Sequence, residues 1–178
     1  MALTSTVYTF NIDLSDTDRG VYETLDLRVA RHPSESEEFL LARVLAYCLE
    51  YNEGIDFSRG LSDPDEPPIA VRDLTGTMRV WIDIGTPSVD RLHKAAKSAA
   101  RVAVYNHKES RQWLAGLSSA KIHRGADVEL YGLDRSLIAA LAAILDRRMS
   151  FAMSVSDQDI YISLPAAALQ GRVTRLRM

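Results

Sequence analysis

A chain of 178 residues with 47% hydrophobic residues, 25% charged residues and a net charge of −3 can bury a sizeable core and has the make-up of one globular domain. No run approaches the roughly 18 apolar residues of a membrane-crossing helix. The single cysteine, Cys48, excludes a disulfide framework and a cysteine metal cluster, and a pI near 5.8 lacks the basic footprint of a tight non-specific nucleic-acid binder.

Residues 1–11 show neither a basic n-region nor an apolar h-region, so no signal peptide is expected and the cytoplasm is the expected address. Residues 5–30 read as a β-hairpin. Val7, Thr9 and Asn11 alternate with Tyr8, Phe10 and Ile12, and Leu25, Leu27 and Val29 alternate with Asp26 and Arg28, across the polar turn 15–20. Pro33-Ser34 followed by Glu35-Ser36-Glu37 reads as a capping box with Ser34 as N-cap and Glu37 at N3. Leu41, Val44, Leu45, Cys48 and Leu49 continue it at helical spacing to about Tyr51.

A loop rich in proline leads to a short strand, the turn Asp73-Leu74-Thr75-Gly76 and the strand 78–85, Met-Arg-Val-Trp-Ile-Asp-Ile-Gly. Helix 89–100, strand 101–106, helix 110–117, strand 128–133 and helix 136–147 follow. That alternation predicts crossovers and a partly parallel sheet. Residues 150–164 read as a second hairpin with its turn at 156–159, and the tail 165–178 carries no pattern. The predicted whole is a single α/β domain over residues 1–178, with a central mixed sheet flanked by helices and a β-hairpin near each terminus.

Asp83 is the first place to look for chemistry. It shares a strand face with Arg79 and Trp81 near the end of an apolar strand, where a carboxylate is costly without a partner, a metal or water. Charge is also uneven. Residues 34–73 hold ten acids (Glu35, Glu37, Glu38, Glu50, Glu53, Asp56, Asp63, Asp65, Glu66, Asp73) against Arg43, Arg59 and Arg72. Residues 91–124 hold eight bases (Arg91, Lys94, Lys97, Arg101, Lys108, Arg111, Lys121, Arg124) against Glu109. An acidic metal centre beside a basic surface produces this pattern, and so does ordinary surface variation. No dinucleotide fingerprint, Walker A run or nucleophile elbow occurs. His32, His93, His107 and His123 lack zinc-ligand spacing, and Trp81 and Trp113 read as core anchors.

The order helix, acid-bearing hairpin, helix, strand is that of the core of PD-(D/E)xK nucleases, the restriction-endonuclease-like fold. Their chemistry needs two acids at adjacent strand ends to hold Mg²⁺ through oxygen ligands. The metal activates a water while a nearby lysine assists. Two residues after Asp83, where that lysine usually stands, this chain has Gly85.

Several segments resemble the YaeQ family of small bacterial proteins: Ala30-Arg31-His32-Pro33-Ser34-Glu35, Arg59-Gly60-Leu61-Ser62, Asp65-Glu66-Pro67, Trp81-Ile82-Asp83-Ile84-Gly85 with Pro87, Lys94-Ala95 and Val102-Ala103-Val104-Tyr105. The resemblance spans nearly the whole chain and implies a compact variant of the PD-(D/E)xK fold. Asp83 stands where the family often has Glu, and Pro68 where an acid is common.

The resulting expectations are specific. Glu66 and Asp83, with Glu35, are the candidate ligands of Mg²⁺ or Mn²⁺. Glu66, Asp83, Lys94 and Glu38 are the candidate catalytic residues, with Glu38 pointing inward beside Leu41 and Leu45. Arg31, His32 and Arg43 are the candidate phosphate contacts, and DNA or RNA is the candidate partner. Each has a structural alternative: Asp83 bonded to an arginine or helix N-terminus, Lys94 paired with Asp90 at i,i+4, and Arg31 and His32 closing their own loop. Two function classes follow: a metal-dependent nuclease, or a protein of the same architecture that serves binding or regulation without catalysis.

Overall fold

The computed structural model describes residues 4–58 and 63–178; the motif Arg59-Gly60-Leu61-Ser62 lies outside them. The chain divides into two compact units, one from residues 1–41 and 133–174, the other from 42–132 and 175–178. Both mix strands and helices, and four α-helices occur among the described residues.

In the first unit β1 (Thr6–Asp16) pairs antiparallel with β2 (Val21–Arg31) from Thr6↔Arg31 to Asp16↔Val21. β1 also pairs parallel with β8 (Arg148–Ser156). β8 continues antiparallel to β9 (Asp159–Ser163), and β9 to β10 (Ala168–Leu176). The strands alternate as the sequence dictates: Phe10, Ile12, Leu14, Leu27, Val29, Phe151, Met153, Ile160 and Ile162 are buried on one face. Asp134 caps α4 (Arg135–Ala143) by accepting from the Ser136 amide at 3.0 Å. Leu137 of α4 closes onto bare Gly171 of β10, where a Cβ would lie 2.7 Å from it.

The second unit orders its strands β7-β6-β5-β4-β3. β3 (Ile55–Phe57), β4 (Ile69–Arg72) and β5 (Met78–Ile84) run antiparallel to their neighbours, and β5, β6 (Arg101–Asn106) and β7 (Glu129–Leu133) run parallel. Parallel neighbours need crossovers, supplied by α2 (Val89–Ser98) and α3 (Arg111–Ser118). Leu92, Ala95 and Ala96 of α2 and Leu117 of α3 pack with Trp81, Val102, Val104 and Leu130 in one cluster. β5 is thus an interior strand, and its last four residues, Trp81 to Ile84, are all buried. That is why Asp83 is a buried acid.

Several readings of the sequence change. α1 (Glu37–Leu49) is capped by Ser36, whose hydroxyl accepts from the Phe39 amide at 3.0 Å, while the Ser34 hydroxyl lies 2.6 Å from His32 Nδ1. Every residue from Leu40 to Glu50 is buried, so α1 is enclosed all round rather than amphipathic, and Glu38, in its first turn, is exposed instead of pointing inward. β3 and β10 are strands the sequence reading left as loop and tail.

Candidate functional site

Asp83 comes to rest against an arginine. Ser88 caps α2 by accepting from the Arg91 amide at 3.2 Å, which sets Arg91 in the first turn beside the end of β5. Its Nε donates to Asp83 Oδ2 at 2.7 Å, and its guanidinium lies 5.2 Å from the Trp81 ring centroid. Trp81 Nε1 donates to the same oxygen at 3.2 Å, and the Ile84 amide donates to Oδ1 at 3.2 Å. Both carboxylate oxygens are therefore engaged, on a side chain only 4% exposed.

Arg91 also reaches the loop before β4, donating to the Glu66 carbonyl at 3.0 Å and the Pro64 carbonyl at 3.5 Å. Lys94, one turn on, forms an ion pair with Asp65 of that loop. The loop that carries Glu66, the strand end with Asp83 and the helix with Lys94 thus meet at one corner, with Arg91 as its hub. Glu66 enters that hub through its backbone. Its residue is half-buried and lines a separate hollow of about 270 Å³ with Asp56, Ser58, Ala70 and Arg72.

Tested against a divalent cation, this corner does not fit. A metal ligand must offer free lone pairs, and those of Asp83 Oδ2 already take two donors, one of them a cation. Among the described residues no group of three or more His, Cys, Asp or Glu could hold a metal ion. Gly85 has φ +85°, a conformation that would strain a lysine at the usual position.

The remaining candidates have contacts of their own. In the first unit Arg31 Nε donates to the Glu35 carbonyl at 2.9 Å and the His32 amide donates to Glu35 Oε2 at 3.3 Å, so these three close their own loop. Glu35 is buried. In the second unit Arg43 is buried with its guanidinium 5.6 Å from the Phe57 ring centroid.

The sequence reading missed a larger polar cluster. Arg101, opening β6, holds two carboxylates: Nη1 and Nη2 donate to Glu50 at 2.6 and 3.0 Å, and Nε and Nη2 to Glu129 at 2.6 and 2.9 Å. The Tyr105 hydroxyl donates to Glu50 and the Tyr131 hydroxyl to Glu129, each at 2.6 Å, and the two rings stack at 4.9 Å. Burial would raise the Glu129 carboxyl, but its bonds from Arg101 and Tyr131 outweigh burial and hold it below the ordinary range. Burial and the adjacent Glu50 push the Tyr105 hydroxyl well up. Arg101 therefore does not belong to a basic surface stripe. Arg124 is engaged too, donating to the Ala96 and Ala99 carbonyls at the end of α2. The signal available in the sequence was the i, i+4 spacing of Arg101 and Tyr105 on one face of an apolar strand.

Fold and site together define an α/β protein of mixed strand pairing whose buried strand-end carboxylate is clamped by arginine. The model of the YaeQ protein family matches residues 1–172. YaeQ of Escherichia coli (strain K12) is 33% identical over 165 residues, covering 92% of this chain and 91% of its own length, and the Salmonella typhi protein matches to the same extent. Among solved structures, that of the YaeQ protein from Xanthomonas axonopodis pv. citri has a TM-score of 0.89 at 31% identity, covering 98% of this chain and 99% of its own. The YaeQ protein from Pseudomonas syringae has a TM-score of 0.87 at 30% identity, covering 98% and 97%. The chain belongs to the YaeQ family.

Proposed function

We propose that this chain is a binding or regulatory protein that retains a nuclease-like architecture without metal-dependent phosphodiester hydrolysis. One observation carries the reading: the carboxylate that would anchor the metal is buried, and its Oδ2 is held by Arg91 Nε at 2.7 Å. The ion pair neutralises the charge that would attract Mg²⁺ or Mn²⁺, and moving the guanidinium away would leave both groups short of partners. Arg91 and Lys94 tie the loop of residues 63–67 to α2, so the corner sets the shape of the surface around that loop.

The hydrolase reading draws on the meeting of Asp83, the Glu66 loop and Lys94 at that same corner, and it requires Arg91 to leave Asp83. A cleavage screen separates the two. Wild-type protein is incubated with single- and double-stranded DNA and RNA in Mg²⁺ and in Mn²⁺, beside Asp83→Asn. No cleavage above the Asp83→Asn background supports the binding reading. Metal-dependent cleavage that Asp83→Asn abolishes overturns it.

A further inference from the structure

The first unit carries an arginine cluster that the corner at Asp83 does not involve. Thr9 on β1 is opposite Arg28 of β2 on one side and Arg148 of β8 on the other. All three share the face away from the buried row of Tyr8, Phe10, Leu27, Val29 and Met149. The Cα atoms of the two arginines are about 10 Å apart, twice the spacing of neighbouring strands, so both side chains can bend over Thr9. Arg147 joins them because the Thr9 amide donates to its carbonyl at 2.8 Å.

With Val7 and Asp146 these residues line an open hollow of about 520 Å³. Arg28, Arg147 and Arg148 make no ion pair or side-chain hydrogen bond to any described residue. Elsewhere Arg79, Arg91, Arg101 and Arg172 each hold a carboxylate. Neither nearby acid forms an ion pair with these arginines. Asp146 accepts from the Arg147 amide at 2.7 Å, and Asp26, next on that face of β2, accepts from Asn11 at 2.6 Å.

We infer that this hollow binds a phosphate monoester. Three guanidiniums and one carboxylate give it a formal charge of +2 in a protein whose net charge is −3. A phosphate monoester carries about −1.5 to −2 at neutral pH and presents three acceptor oxygens, matching the charge and the number of guanidiniums. Guanidinium pairs bidentately with phosphate, the Thr9 hydroxyl adds a donor, and Val7, 37% exposed, offers apolar contact to the organic part of the ester. A carboxylate or phosphodiester brings a single charge and leaves the site half neutralised.

The ester can belong to a small metabolite or to a phosphorylated side chain, so calorimetric titrations use phenyl phosphate and a phosphoserine peptide as separate probes. Wild-type protein should bind at least one of them saturably, more tightly at pH 7 than at pH 5, because the second phosphate ionisation lies near pH 6. The double variant Arg28→Met/Arg148→Met should bind about tenfold or more weakly. Its circular dichroism should be unchanged, since both side chains face solvent. Binding of the phenyl ester alone assigns a small-molecule ligand, and binding of the peptide alone a phosphoprotein. Equal binding by the double variant, or no saturable binding of either probe up to about 10 mM, overturns the assignment.

Discussion

Replacing Asp83 with Asn keeps the shape of the side chain and removes its charge. In the folded protein the carboxylate accepts from Arg91, Trp81 and Ile84, and an amide has only one oxygen for those donors, so its NH₂ must face another donor. Breaking a buried ion pair costs about 3–5 kcal/mol. Arg91 keeps 25% of its side chain exposed and regains some hydration, so about 2–3 kcal/mol is expected for Asp83→Asn. Arg91→Met leaves the more deeply buried partner unpaired and frees the carbonyls of Pro64 and Glu66, so it should cost about 3–4 kcal/mol. The double variant should be less destabilised than the sum of the two, by a coupling of about 1–3 kcal/mol. Urea unfolding followed by fluorescence and by circular dichroism measures all three, with coincident transitions as the check on two-state behaviour. The sign decides. In a cluster of acids awaiting a metal, neutralising one relieves repulsion, so an Asp83→Asn variant as stable as wild type, or more stable, refutes the arginine clamp.

Other consequences follow from the same contacts. Glu129 is held below the ordinary glutamate value of 4.5, so its contribution to stability is present above that pH and lost as the pH falls through its lower folded value. Glu129→Gln should therefore be less stable than wild type at neutral pH, with the gap closing below about pH 4.5 in acid titrations of urea midpoints. Cys48 is fully buried and its thiol is pushed up to about 12 by burial. A disulfide-exchange reagent should label it only in denaturant, and prompt labelling of native protein would contradict the placement. Gly54 has φ +87°, and a Cβ there would lie 2.0 Å from the Arg72 carbonyl oxygen. Gly54→Ala should cost more than about 1 kcal/mol by urea unfolding, and a neutral result would place that turn differently.

What the sequence revealed and what it hid divide by range. β5 and β6 were legible because strands enclosed by neighbours are apolar runs, and α2 because Ser88 and the stripe Leu92, Ala95, Ala96 mark its start and its face. The α/β class with mixed pairing followed from that alternation. β3 has only three residues, and β10 places Gly171 at a buried position, so neither carries a readable period. The cap moved from Ser34 to Ser36 because the Ser34 hydroxyl faces His32, a choice that two serines two residues apart do not reveal.

The candidate site was legible in position and not in partners. Asp83 is buried at a strand end as its alternation indicates, and arginine pairing was among its alternatives. Nothing local marks Arg91, which sits eight residues away on another element. Lys94 has Asp90 at i,i+4, yet it pairs with Asp65 across a loop. The cluster of Arg101 with Glu50 and Glu129 spans separations of 51 and 28 residues, and no window of sequence contains it.

The most direct test of the arginine clamp is calorimetric titration of Mn²⁺ into wild-type protein and into Asp83→Asn. If Arg91 occupies the carboxylate, the two titrations coincide, with no binding heat that depends on Asp83. A saturable site with one Mn²⁺ per chain, present in wild type and absent in Asp83→Asn, would contradict the clamp and return the corner to metal chemistry.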